Sequence, residues 1–267
     1  MTHRQLGRLP DPEHKRDMFR QYRVRAAVKA GMQDDSTIVQ PFAYEMDQRS
    51  LPSCVGKSLQ GCLNALLNVD ASGVNLWIES RAIDDNLMHG DYGTTAASAI
   101  EVILENGWTQ RTDPNEDSLS GHSLTELPAL SSVLAGDDNR IATAINHETF
   151  IGNSETIHYA ILAALREKDS SGRFINGIVF GTGVNSAYMT PPADMVLDQK
   201  YLSANGALGG HEQRIVGWVK EREAYVIGNS WGRWTYCIVN GKKTYGHCLV
   251  ARSVVETAWD IDKVRLV

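Results

Sequence analysis

Cys54, His211 and Asn229 occur in that order along the chain. Cys54 follows Pro52-Ser53 and opens an apolar helical pattern. A helix N-terminus presents free N–H groups and the positive end of the helix dipole. Both favour a thiolate, and a neighbouring histidinium favours it further; such settings lower a thiol pKa to roughly 3.5–7.5. The thiolate is the nucleophilic form, so Cys54 stands where a reactive cysteine would be built. His211 follows Gly209-Gly210, which let the backbone turn and leave room for a substrate. Asn229 closes the next strand-like run, and a hairpin would set its amide beside the imidazole. An asparagine there orients the ring without adding charge, which preserves a thiolate–imidazolium pair. Gln48 lies six residues before Cys54. Its amide N–H and the Cys54 backbone N–H could together hold an oxyanion, and one such donor is worth roughly 2.7–4 kcal/mol. The chemistry implied is acyl transfer through a thioester.

These residues need elements to carry them. Leu59, Cys62, Leu63, Leu66 and Leu67 fall on one helical face, so a helix is expected over 54–68. Ser53 is its expected N-cap, through its hydroxyl. Further helices are expected over 74–87 and over 96–105, the latter stopped by Asn106-Gly107. Shorter helical patterns lie near 124–134 and 157–167. The second half reads as strands: 175–180, 214–219, 224–227, 235–239 and 248–252. Residues 220–223 form a tight connection, and Asn240-Gly241 is a hairpin signal. The first 20 residues read as an extended surface arm, and 42–53 and 109–123 as loops. Gly181-x-Gly183 lacks the context of a dinucleotide loop and is expected to be a turn. Helices first and strands later predict an α+β fold. An arm (1–45) would precede a mainly helical half (46–135) and a mainly β half (136–267), with a cleft between the halves.

Composition narrows the partners and the setting. The 267 residues are 42% hydrophobic and 22% charged, enough for a core without staples. Acidic residues outnumber basic ones, 32 to 26, and a net charge of -6 argues against a nucleic-acid partner. No apolar run approaches the roughly 20 residues that span a bilayer, and no apolar core of about 7–15 residues follows the start as in a secretory signal. Four cysteines are too few for a disulfide scaffold, so a reducing, cytoplasmic setting is expected. Cys62 reads as a core thiol. Cys237 and Cys248 flank the Asn240-Gly241 turn, but a two-residue turn sets 237 opposite 244, so they read as reduced core thiols as well. His89, His122, His147, His158 and His247 have no ligand spacing, and no metal site is expected.

Read together, the three segments resemble the papain-like cysteine peptidases, family C1. Gln48 with Ser53-Cys54 is similar to that family's Gln-x-x-x-Ser/Gly-x-Cys region. Gly210-His211 with Ile215-Val216-Gly217-Trp218 is similar to its histidine strand, and Asn229-Ser230-Trp231-Gly232 reproduces its Asn-Ser-Trp-Gly block. The resemblance implies a helical left subdomain and a β-rich right subdomain facing across a cleft. It implies Cys54 as nucleophile, His211 as general base and acid, Asn229 as orienter and Gln48 as oxyanion donor. Trp231 would shield the Asn229–His211 bond, with Ser53 supporting the nucleophile. Asp91-Tyr92-Gly93-Thr94-Thr95 resembles the element that presents backbone to a substrate's P2 residue, so Tyr92, Gly93, Gly210 and Glu212 are the expected substrate contacts. Leu6 to Pro12 with Arg16-Asp17 resembles the opening segment of the bacterial and phage branch. The matched segments run from residue 6 to residue 232. The separation of 157 residues between Cys54 and His211 exceeds the roughly 130–150 expected for papain, and an insertion such as 109–123 accounts for it.

The sequence departs from the family pattern in three places. Val55-Gly56-Lys57 follows the nucleophile, Glu212-Gln213-Arg214 follows the histidine, and the end of the Asn-Ser-Trp-Gly segment is reduced to Arg233-Trp234-Thr235-Tyr236. Glu212 has two readings: a carboxylate bordering the S2 pocket that favours Lys or Arg at P2, or a solvent-facing residue paired with Arg214. The expected activity is peptide-bond hydrolysis without a cofactor, on a peptide or protein substrate. The alternatives are a peptidoglycan amidase or endopeptidase, and an inactive papain-fold structural or assembly protein, for example of a phage particle. Location is expected in the cytoplasm of a bacterial or phage-infected cell, with virion association as the variant. Only about 45 residues precede Gln48, so neither a long inhibitory propeptide nor zymogen processing is expected.

Overall fold

A computed structural model describes residues 34–41, 46–84, 93–111 and 140–267. The expected arm at 1–20, the helix near 124–134, most of the 109–123 loop, the opening segment at 6–17 and Tyr92 lie outside the described residues.

Helix α1 runs Cys54–Leu67 and ends where Asn68 adopts a left-handed conformation (φ 55°) with its N–H bonded to Asn64 O. Eleven consecutive residues from Cys54 are buried, so the helix is covered on all sides and not on one face alone. On one side it meets α2, Gly73–Ile83, capped by the Ser72 hydroxyl, which accepts from Asn75 N at 3.1 Å. Gly56 and Gly73 make that approach close: a Cβ on Gly56 would sit 2.0 Å from Gly73 O. Helix α3, Ala96–Asn106, is capped by Thr95 and stops at Gly107 (φ 78°), as the Asn-Gly pair predicts. Helix α4, Ser154–Arg166, starts three residues earlier than expected, because the Asn153 side chain caps it by accepting from Thr156 N (2.9 Å).

The remaining chain is dominated by one nine-stranded sheet. Its main path is β4 (Ile145–Thr149), β13 (Asp260–Leu266), β5 (Asn176–Val184), β8 (Gly209–Val219), β9 (Ala224–Gly228), β12 (His247–Ala251) and β6 (Val196–Leu197). Strand β1 (Ile38–Val39) adds to β8, and β7 (Leu202–Ser203) adds to β5. Trp108–Thr109 (β2) and Arg140–Ile141 (β3) form a small separate pair. Strands β10 (Tyr236–Val239) and β11 (Lys242–Tyr245) form the hairpin expected at Asn240-Gly241, with φ 51° and 73° at the turn. Cys237 faces Thr244 there, and all four cysteines are free thiols.

The central strand β5 is buried along its whole length because both faces are covered. Ile178 and Phe180 join Ile161, Leu162 and Leu165 of α4 in one core. Val179 joins Leu59, Leu63, Ile100 and Val264 in a second core beneath α1 and α3. The period of two sorts alternate residues to the two cores. This corrects the reading of Gly181-x-Gly183: both glycines lie in β5. Gly183 serves a close approach, since a Cβ there would lie 2.5 Å from Gly206 N. The architecture is α+β, as expected. No helix among the described residues is long and apolar enough to cross a membrane.

Two buried histidines make the fold acid-sensitive. His158 Nδ1 hydrogen-bonds the Tyr225 hydroxyl at 2.6 Å, and burial pulls its pKa down to about 4. His247 donates from Nδ1 to Tyr245 O at 2.8 Å, and burial pulls its pKa to about 4, with Arg214 adding to the shift. A depressed histidine pKa means that the unfolded chain takes up protons first. Stability is therefore complete above the unfolded value near 6.5 and is lost as pH falls toward 4. Lowering pH from 7 to 5.5 is expected to remove about 1 kcal/mol per histidine. Urea melts at the two pH values measure this; His247→Gln should show a smaller pH-dependent loss than the parent, and identical losses would contradict it.

Candidate active site

The site forms where the start of α1 meets the start of β8 and the end of β9. Cys54 is the first residue of α1 and is fully buried. The helix begins with Lys57 N bonded to Ser53 O (2.9 Å). The Ser53 side chain makes no cap bond, which corrects the expected hydroxyl cap: its backbone (φ -97°, ψ 21°) is not in the extended conformation that aims a cap side chain at the first turn. Ser58 is one turn beyond Cys54 on the same face, and its hydroxyl donates to Glu212 O at 3.0 Å. That bond sets the first turn of α1 beside the His211 end of β8.

His211 pairs across the ladder with Thr182, and Gly210 with Gly183. His211 Nε2 lies 2.8 Å from Asn229 Oδ1, in a fully buried contact. The orientation of Asn229 is fixed by a second bond, because Ser230 N also points at Oδ1 (2.7 Å). A backbone N–H can only donate, so that atom is the amide oxygen and His211 Nε2 carries the hydrogen. The imidazole stacks on Trp231 with ring centroids 4.5 Å apart and planes 27° apart. Trp231 is wedged by Tyr188 (5.4 Å) and Trp234 (5.4 Å), and Trp234 Nε1 donates to Met189 O at 3.0 Å. Burial raises the Tyr188 phenol well above its ordinary pKa, which keeps its proton available for the hydrogen bond it donates to Gln213 Oε1.

Gln48 is tied to the same group. Its N–H donates to Ser230 O (2.7 Å), Ser230 Oγ donates to Gln48 Oε1 (2.5 Å), and Gln48 Nε2 donates to Leu51 O (2.7 Å). An isolated bridge between Asp47 and Trp231 and the bond from Gly232 N to Met46 O (2.7 Å) continue the pairing. Ser230 thus joins the segment before the cysteine to the segment that orients the histidine. These distances place His211, Asn229, Trp231 and Gln48 in one buried cluster, with the Cys54 helix docked against it.

No protein-family model matches the sequence, and no curated protein sequence does. Solved structures do match. Xylellain, a cysteine protease from Xylella fastidiosa, superposes with a TM-score of 0.65 at 17% identity, over 100% of this chain and 98% of its own. A procathepsin B from Trypanosoma congolense gives 0.57 at 11% identity over 98% of this chain and 82% of its own, and a stem bromelain precursor gives 0.56 at 14% over 98% and 77%. The fold is papain-like. Within the papain-like fold, the departures read from the sequence acquire structural reasons. Gly56 lets α1 and α2 touch. Gln213 anchors Tyr188, and the Arg214 guanidinium lies against Gly61 of α1 and Gly228 of β9, where a Cβ would meet it at 2.4 Å and 3.0 Å. Glu212 is fully buried on the Arg214 side of β8, which overturns the solvent-facing reading. Gly93 is buried, and the adjacent Thr94 donates to Asp84 at 2.7 Å, fixing that segment to the end of α2.

Sequence reasoning missed Tyr188, Ser58 and the bridging role of Ser230. Ser58 carried a usable signal, its four-residue spacing from Cys54 on a helix. Tyr188 sits in a single 3-10 turn, Ser186–Met189, and nothing local marks it.

Proposed function

We propose that this chain is a thiol-dependent hydrolase of peptide bonds, with Cys54 as nucleophile, His211 as general base and acid, Asn229 as orienter and Gln48 as oxyanion donor. The observation that carries this is the 2.8 Å bond between His211 Nε2 and Asn229 Oδ1 beneath Trp231. With Nε2 bonded to asparagine, Nδ1 is the nitrogen that would exchange a proton with the thiol in this reading. The Cys54 thiolate attacks the scissile carbonyl carbon, a C–S bond forms, and the carbonyl π electrons move to oxygen. The Cys54 N–H and the second N–H of the Gln48 amide stabilise that oxyanion. Collapse breaks the C–N bond as the imidazolium gives its proton to the leaving amine. Water then loses a proton to His211 Nδ1, attacks the thioester and releases the acid. The reaction needs no cofactor.

Alkylation by iodoacetamide, read by mass spectrometry across pH, tests the pair. Burial pushes the Cys62 and Cys237 thiols up to about 12 and raises Cys248 as well, so these three stay protonated and silent. Cys54 alone is expected to react at pH 6, at a rate that His211→Ala removes. An ordinary thiol titration near pH 8.5 for Cys54 would overturn the reading.

A further inference from the structure

The β10–β11 hairpin carries a feature that the proposed chemistry does not use. Tyr236 and Tyr245 face each other in its first register pair, with ring centroids 5.7 Å apart. The Lys243 ammonium sits 3.7 Å from the Tyr236 ring centre and 5.0 Å from that of Tyr245, and the Arg233 guanidinium lies 4.6 Å over Tyr245. Two aromatic faces thus hold long cationic side chains in place at the surface. The ladder stands next to the candidate site. Gly246, which follows Tyr245, accepts from Asn229 N at 3.0 Å and donates to Thr235 O at 2.8 Å. Arg233 is two residues from Trp231, the ring under His211.

The charge of this region is unlike the rest of the chain. From residue 224 to residue 255 there is no Asp or Glu, in a protein with 32 acidic residues and a net charge of -6. Two carboxylates border the region: Asp194 is engaged by Ile238 N (2.8 Å) and Arg222 (3.7 Å), and Asp47, which lies against Gly232, accepts from Arg49 N (2.9 Å). Among the described residues no carboxylate lies within ion-pair distance of Lys242 or Lys243. A short anionic segment would find an ordered ammonium above two rings there, while a long polyanion would meet repulsion from the chain as a whole.

We propose that this hairpin is a subsite for an acidic segment of the substrate flanking the scissile bond, with Lys243 as its counter-charge and Tyr236 and Tyr245 as its bed. The inference rests on the peptide-hydrolase reading and names the substrate class. Full-length Cys54→Ser protein and fluorescein-labelled peptides test it by anisotropy without turnover. A peptide with a run of glutamates is expected to bind about fivefold tighter than its glutamine counterpart, an advantage that salt erodes. The ratio should fall to about one in Lys243→Met, where the apolar stem still covers the rings. In Lys243→Glu it should reverse in favour of a lysine peptide. Equal affinities for the glutamate and glutamine peptides, or no binding of the glutamate peptide, would overturn the subsite. So would an oligonucleotide of equal charge that outcompetes the peptide. Cleavage of the same peptides by the unmodified protein is scored apart. Preserved glutamate preference without cleavage supports the subsite and overturns the hydrolase reading; cleavage of both peptides at equal rates does the reverse.

Discussion

Replacing His211 with alanine is expected to lower kcat/KM for peptide hydrolysis by about three orders of magnitude. In the proposed mechanism one ring performs two proton transfers, so both the acylation and the hydrolysis of the thioester would suffer. The same change should abolish alkylation of Cys54 at pH 6, because the thiolate loses its counter-ion while the helix N-terminus alone remains. Asn229→Ala should cost less, about ten- to a hundredfold. Without the 2.8 Å bond the imidazole is still stacked on Trp231 at 27°, so the ring keeps its plane and loses its tautomer. A panel of neutral peptides gives the ratio, and Cys54→Ser supplies the background. His211→Ala activity within tenfold of the parent would leave the proposed pair without support, and a parent no more active than Cys54→Ser would favour the scaffold alternative.

The order of these effects follows from what each neighbour contributes. Trp231 excludes water from the His211–Asn229 contact and is itself fixed by Tyr188 and Trp234. Tyr188 is tied in turn to Gln213, two residues beyond His211 on the same strand. The imidazole is therefore held through its own strand, through Asn229 and through an aromatic stack, and loss of one support leaves the others.

What was legible in the sequence depended on how local its cause was. Helix α1 announced itself through Leu59, Leu63 and Leu66, and the hairpin through Asn240-Gly241, because both signals lie within a few residues. Strand β5 was expected to stop near 180. Gly181 and Gly183 looked like a turn, yet Gly183 is a glycine because Gly206 backbone crosses it. Strands β4 and β13 gave no apolar alternation. Their shared buried position is polar: Asp262 Oδ1 is bonded to His147 Nε2 (2.8 Å) and to the Thr149 hydroxyl (2.6 Å), pairs formed across more than 110 residues. At the site, the types and order of Cys54, His211 and Asn229 were readable. The Gln48–Ser230 bridge and the Tyr188 wedge were not, because each joins residues far apart in the chain by a contact that no local pattern implies.

Gly56→Ala is expected to destabilise the protein by about 2 kcal/mol, the sign opposite to the rule for helices. In an exposed helix the change would gain about 1 kcal/mol through propensity. Here the new methyl would stand 2.0 Å from Gly73 O, 2.9 Å from Trp77 N and 3.0 Å from Trp77 Cβ. The nearest obstacles are backbone atoms of α2, which no rotamer change can move aside, so the two helices must part. Overpacking of a rigid contact costs about 1–3 kcal/mol and sometimes more, which exceeds the propensity gain. Parting them also shifts the first turn of α1, where Cys54 lies two residues away and Ser58 reaches Glu212 O. The folded fraction should therefore alkylate more slowly at pH 6 than the parent, a loss that stability alone does not produce. Gly172→Ala is the control: φ is 84° there, but nothing lies within 4 Å, so only backbone strain of about 1 kcal/mol is expected. Urea unfolding of the two variants compares a crowded glycine with an open one. A Gly56→Ala protein as stable as its parent would mean that α1 and α2 do not cross at Gly56 and Gly73, and that the glycine two residues after Cys54 has some other cause.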